Sequence, residues 1–453
     1  MTELWQHGAV AAAGLVRRGE VGPGDLVEEA LDRIERLDPA LGAVVVPLAD
    51  RARRRVAAGL TGPFAGVPLV LKDAGQELAG TPHWVGTRCL REAGHVSPAT
   101  TELAARLEAL GFVVVGKGNV PELSASASTE PPGLPPTRNP WHLGRTAGGS
   151  SGGPAAAVAA GLVALASGSD GTGSLRYPAS CCGLPTLKPT AGRIPTVPAA
   201  GSPEDPPVWC DFVLARRVED LAAVFRAVAE GPARAVRERL RVGLLATDAI
   251  GGAPVDPACV EAVHRAGRLL EGLGHHVEDT WPPALTDVFA PVGGDLASAI
   301  AATRARQVAW VEHRLGRACR PGDLTDEVLA TAQRARTFAP GAVEAAGERI
   351  RAAVEPVAAW WDGWDVLVTP TMRNVPWALG TPAGPANVGA FAAVFSFTGQ
   401  PALSLPLGAT SEGLPVGVQL VGPRAGDELL LALAARLEEV DGWPERWPPF
   451  ALR

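Results

Sequence analysis

The chain has 453 residues, 47% of them apolar and 20% charged, a balance that fits a globular protein with a large core and excludes a disordered one. A net charge of −7 excludes the basic footprint of a nucleic-acid binder. The opening MTELWQHGAV has no basic stretch leading into an apolar run, and the most apolar segment, residues 155–166, is too short to cross a bilayer; no signal peptide and no membrane are expected, and a cytoplasmic location is.

The six cysteines form no CxxC, so free, buried thiols are expected, with the adjacent Cys181 and Cys182 acting as packing. Residues 24–37, GDLVEEALDRIERL, put Leu26, Val27, Ala30, Leu31, Ile34 and Leu37 at helical spacing with Asp25 as cap, which predicts an amphipathic helix on the main body. Residues 66–73, GVPLVLKD, read as a buried strand ending at Lys72. Lysine is almost never fully buried without a partner. The residues alone leave two readings: a side chain that exits into solvent, or one that turns inward as a base. Residues 97–119 predict a helix and then a strand over 112–115. Residues 120–140 form a proline-rich loop whose tip, Ser124-Ala125-Ser126-Ala127-Ser128, is small. Such a loop is often functional, and a small tip leaves room for a bulky acyl group; a purely structural loop is an equal alternative.

Residues 145–190 carry two serine clusters set in glycine, Gly148-Gly149-Ser150-Ser151-Gly152-Gly153 and Ser169-Asp170-Gly171-Thr172-Gly173-Ser174. An Ala/Val/Leu run opened by Pro154 lies between them, and proline suits the first turn of a helix. The order reads loop, helix, loop. Ser150 and Ser174 are 24 residues apart, and the tail is Cys182-Gly183-Leu184-Pro185-Thr186-Leu187-Lys188-Pro189-Thr190. Beyond it come an irregular loop at 201–211, a helix from Val218, a strand at 241–246, a helix at 256–274 and an Ala/Arg-rich helical region at 281–360. Strands are expected at 364–371, 394–407 and 413–422. No repeat or linker divides the chain, which predicts one α/β domain over residues 1–453.

The two serine elements, their spacing and the tail together closely resemble the amidase signature family. The G-V-P-L-V-L-K-D run, Gly116-Lys117-Gly118-Asn119, Gly274-His275-His276-Val277 and the closing strands extend the resemblance over nearly the whole chain. It is weakest at 281–360. Asp211-Phe212-Val213-Leu214-Ala215-Arg216-Arg217 replaces the family's G-P-(M/L)-A-R-(S/T), so a different local loop is expected there. The resemblance implies a central mixed β-sheet covered by α-helices on both faces. It also implies amide hydrolysis with Ser174 as nucleophile, Ser150 as bridging serine after a cis Gly149–Ser150 peptide, and Lys72 as base. No histidine sits in either serine element; His142, the nearest in sequence, is read as a structural or surface residue. For Lys72 to act near neutral pH its ammonium must be disfavoured by burial, which predicts an enclosed site with few carboxylates nearby.

The backbone N–H groups of Gly171, Thr172, Gly173 and Ser174 are the oxyanion-hole candidates. Gly171 and Thr172 stand exchanged relative to the family, and a β-branched residue disfavours positive φ. Ser126, Ser128, Arg176 and Arg373 are candidate substrate contacts, with Asn374 beside the last; Arg176 reads by preference as a structural arginine bonded to nearby carbonyls, and Asp170 as a support of the glycine turn. No metal or organic cofactor is expected. The expected partner is a small-molecule amide, and a homodimer is compatible with the reading. The same acyl-enzyme would also serve transfer to another acceptor. Two other readings fail on local context. The G-x-S-x-G at Gly148–Gly152 follows a loop rather than the strand a nucleophile elbow needs. Pro154 after Gly153 breaks the Walker pattern of a phosphate loop.

Overall fold

Short apolar runs closed by glycine, proline or a polar turn build the sheet, because those at its centre bury both of their faces. In the computed structural model, which describes residues 3–196, 208–232, 238–247, 249–250, 252–286, 288–381 and 389–453, the strands in chain order are β1 (Val44–Pro47), β2 (Pro68–Lys72), β3 (Val113–Gly118), β4 (Arg138–Asn139), β5 (His142–Thr146), β6 (Leu165–Asp170), β7 (Thr186–Lys188), β8 (Cys210–Ala215), β9 (Arg241–Leu244), β10 (His276–Glu278), β11 (Val366–Pro370), β12 (Ala402–Ala409) and β13 (Pro415–Val421). β4 and β5 form a small hairpin, and the other eleven make one sheet in the order β1-β3-β2-β6-β8-β7-β12-β13-β11-β9-β10. The sheet is mixed. β2 runs parallel to β3 and to β6, β9 runs parallel to β10 and to β11, and the strands from β6 through β8, β7, β12 and β13 to β11 are antiparallel to their neighbours.

Helices cover both faces. Ser180 of the helix Arg176–Cys182 packs against Gly417, while Ala262 of the helix Pro257–Gly272 packs against Gly408. Gly408 is paired with Val416, the neighbour of Gly417, and successive strand residues point to opposite faces, so the two helices lie on opposite sides. Among the described residues no helix is long and apolar enough to cross a membrane. The 281–360 region is helical as expected, with Gly293–Leu315, Asp326–Arg334 and Ala342–Ala358.

Several boundaries differ from the sequence reading. The second serine cluster does not start in a loop: Ser169 and Asp170 are the last residues of β6, fully inside the sheet. The segment after Asp211 is no loop either. Cys210–Ala215 is a buried central strand paired along its whole length with β6, because six residues able to bury on both faces sit between two strands that need a partner. Only residues 208–211 of the loop expected at 201–211 are described, and residues 201–207 lie outside the described residues. Residues 394–397 belong to the helix Ala390–Phe397, whose apolar side chains are buried nearly all round, a pattern that periodicity alone does not separate from a strand. At the amphipathic helix, Pro23–Leu41, Gly22 is the cap and Asp25 reaches back to accept from its N–H at 2.8 Å.

Candidate active site

Because β2 and β6 are parallel neighbours, their carboxyl ends emerge together, and the register Val70↔Ala166 brings Lys72 level with the end of β6. Ser167 and Ser169 alternate along that strand and so share a face. Ser167 Oγ accepts from the Lys72 backbone N–H at 3.0 Å, and Ser169 Oγ lies 2.8 Å from Lys72 Nζ. Ser150 Oγ lies 2.7 Å from the same Nζ. Lys72 and Ser150 are 0% exposed and Ser169 4%. The lysine therefore turns inward, and burial pulls its pKa down to about 7, against the charges of Asp211 and Asp170.

Those are the two carboxylates whose charges act on the lysine, and neither makes an ion pair with it among the described residues. Asp211 stands opposite Ser169 in the β6–β8 pairing. Burial pushes its carboxyl up to about 7, opposed by the Lys72 charge and a hydrogen bond with Gln76. Gln76 in turn bonds Ser167 Oγ and donates to the Gly168 carbonyl at 2.8 Å. Asp211, Gln76 and Ser169 went unassigned in the sequence. The signal for Ser169 was there, in the i, i+2 spacing from Ser167 at the end of an apolar run.

Ser150 follows a cis Gly149–Ser150 peptide. Gly149 is fixed by close approach: a Cβ there would lie 2.7 Å from the Ser126 carbonyl oxygen and 2.8 Å from the Ser128 nitrogen. The small loop tip is thus pressed on the peptide that presents Ser150. The helix Gly152–Ala159 starts just beyond, with Pro154 in its first turn.

Ser174 is half-buried. Its carbonyl accepts from the Ser151 N–H at 3.2 Å, which ties the two serine elements together, and its Oγ makes no hydrogen bond among the described residues. Before it, the chain wraps around Asp170. That carboxylate accepts from the N–H groups of Gly173 (2.6 Å), Leu175 (3.3 Å) and Arg176 (3.4 Å), and from the Arg176 guanidinium at 2.8 and 2.9 Å. Burial works to raise the Asp170 carboxyl, but the Arg176 charge and hydrogen bonds, the Lys188 charge and the Gly173 N–H together hold the group below its ordinary value. The reading of Asp170 as support of the glycine turn stands. Of the four oxyanion-hole candidates, Gly173 is corrected: its N–H is taken by Asp170. The N–H groups of Gly171, Thr172 and Ser174 make no hydrogen bond among the described residues. Thr172 stays out of the left-handed region, which Gly173 occupies at φ 128°, and its side chain is exposed.

Both arginines are corrected as substrate contacts. Arg176 is 0% exposed and, besides Asp170, donates to the Ala392 carbonyl (3.0 Å), Gln419 Oε1 (2.6 Å) and Ser396 Oγ (2.9 Å). Arg373 is 1% exposed and donates to the carbonyls of Ile250 (2.6 Å) and Ala253. Ser128 is corrected as well: it is buried, with its Oγ bonded to Glu130 (2.6 Å) and Thr146 (2.8 Å). Ser126 stays half-buried beside Gly149, and Asn374 half-buried with its Oδ1 unpartnered among the described residues. His142 is exposed, as read. Cys181 and Cys182 are buried and free, as are three of the other four cysteines.

The arrangement can hold an unprotonated amine against one serine hydroxyl, keep a second serine accessible, and leave backbone donors unused around it. Acyl transfer needs these parts. Comparison with known proteins agrees. The family model described as Amidase matches residues 25–431. The 6-aminohexanoate-cyclic-dimer hydrolases of Paenarthrobacter ureafaciens and of Pseudomonas sp. (strain NK87) are each 36% identical, over 98% of this chain and 97% of theirs. The solved structure of 6-aminohexanoate cyclic dimer hydrolase complexed with substrate superposes with a TM-score of 0.94 at 34% identity, covering 99% of this chain and all of that one.

Proposed function

The chain belongs to the amidase signature family, and we propose that it hydrolyses the C–N bond of small, non-peptide carboxylic amides through an acyl-enzyme on Ser174, with Ser150 and Lys72 as the proton relay. The observation that carries the reading is the 2.7 Å contact between Ser150 Oγ and a fully buried Lys72 whose pKa is lowered to about 7. Near neutral pH such a lysine is free to accept a proton. It takes one from Ser150, which takes one from Ser174 as Ser174 Oγ attacks the amide carbonyl carbon. Substrate binding must first bring the two hydroxyls into line, since catalytic hydrogen bonds commonly tighten only in the complex. The developing oxyanion is received by the free N–H groups around Ser174. Collapse of the adduct breaks the C–N bond, the relay returns the proton to the leaving nitrogen, and water, activated by the same relay, cleaves the acyl ester.

The 6-aminohexanoate cyclic dimer named for the relatives is the first amide to try. With both candidate arginines withdrawn into the fold, a substrate held by a carboxylate–arginine pair is disfavoured. A cytoplasmic setting suits six cysteines without a disulfide.

The test is labelling with a serine-reactive fluorophosphonate, the modified peptide being mapped by mass spectrometry. We expect label on Ser174 in the wild type and much slower labelling in Lys72→Ala. Label on Ser150, indifferent to Lys72, would overturn the assignment of roles.

A further inference from the structure

The peptide between Thr172 and Gly173 is gripped at both ends. Its N–H donates to Asp170 Oδ1 at 2.6 Å, and its carbonyl accepts from the Tyr177 hydroxyl. Tyr177 is the only tyrosine of the chain, is 4% exposed, and closes the turn a second time by donating its own N–H to the Gly173 carbonyl at 2.7 Å. Its ring lies flat against Gly173, where a Cβ would come within 2.0 Å of a ring carbon. From the far side Gly389 closes on the hydroxyl, since a Cβ there would lie 2.7 Å from Tyr177 Oη. Burial pushes the phenol above its ordinary value, so it keeps its proton and stays a donor throughout the range in which Lys72 titrates.

A peptide plane held at both its C=O and its N–H cannot rotate, and with the Gly173 carbonyl also held by the Tyr177 N–H, the N–H groups on either side, those of Thr172 and Ser174, are left only the dihedrals of Thr172 and Gly173 in which to move. These are two of the three donors left unused beside the nucleophile. We propose that Tyr177 is a positioning residue for the oxyanion hole: its hydroxyl fixes the Thr172 carbonyl, so that the N–H groups of Thr172 and Ser174 stay aimed at the developing negative charge. The inference rests on the acyl-enzyme reading above. It also accounts for a threonine being tolerated where the family places glycine: the carbonyl is held from outside, so the residue needs no special backbone freedom of its own.

The experiment is Tyr177→Phe, which keeps the ring and removes only the hydroxyl. Removing an oxyanion donor outright costs on the order of 10²–10³ in rate, and misaiming one costs less, so we expect about a 10-fold fall in kcat with KM little changed. The inhibition constant of an aldehyde or trifluoromethyl ketone analogue, whose tetrahedral adduct occupies the hole, should weaken by the same factor. The acid limb of the pH profile, set by Lys72, should stay in place. Gly389→Ala presses on the same hydroxyl from the other side and should lower kcat in the same sense by a smaller factor, a check that survives if Tyr177→Phe folds poorly. Unchanged kcat and unchanged adduct affinity in a folded Tyr177→Phe would overturn the proposal. A wild type that takes no fluorophosphonate on Ser174 would instead bring down the acyl-enzyme reading, and this inference with it.

Discussion

The two serine elements differ in how completely their polar groups are used. Around Ser150 the side chains are joined to one another: Lys72 Nζ has two hydroxyls, its N–H has Ser167, and Gln76 joins Ser167 to Asp211. Around Ser174 the hydroxyl and three consecutive-region N–H groups have no partner among the described residues, although the turn that carries them is pinned by Asp170 and Tyr177. On the proposed mechanism the lesson is a division of labour: the half that would move protons is preorganised and closed, and the half that would meet substrate is rigid in its backbone but open in its donors. A buried polar group left unmade is costly, so unused donors concentrate where a ligand will use them.

The largest effect should come from breaking the support beneath the open half. Arg176→Met leaves Asp170 buried without its cation, and stripping one partner from a buried pair costs about 3–5 kcal/mol. Thermal or urea unfolding should show that loss, together with loss of activity. Next is the pH dependence of the closed half. The base must be unprotonated, so kcat/KM should fall about tenfold per pH unit below about 7 and level off above it. Asp211→Asn should move this limb to lower pH, because the Asp211 carboxylate favours the ammonium. A pH–rate profile from 5 to 9 on both proteins checks the position and the direction. The smallest effect should be Ser169→Ala, which removes one of the two hydroxyls on Nζ. A net hydrogen bond of about 1 kcal/mol predicts roughly a 5- to 10-fold lower kcat/KM, measurable in steady state.

The closed half was largely legible in the sequence. Glycine-set serines 24 residues apart and a lysine ending an apolar strand are local patterns, and the resemblance they carry placed Lys72 against Ser150. What escaped was nonlocal. Arg176 is satisfied by Asp170 six residues away, but also by Ser396 and Gln419, more than two hundred residues on, and no local pattern announces such partners. The strand Cys210–Ala215 was hidden for the same reason: its place is set by β6 and β7, not by its own turn signals. The use of Gly173's N–H by Asp170 follows from how the loop curls, which composition does not reveal.

The depth of the lysine has a consequence for the order of events. Lys72, Ser150 and Ser169 are buried, and Ser174 is the half-buried member of the set. On the proposed mechanism the buried relay behind Ser174 works as an airlock with one door. Once the tetrahedral adduct of the proposed mechanism blocks that door, the proton withdrawn from Ser174 is quarantined with the lysine until the departing amine collects it, and the next one enters only with the water that ends the cycle.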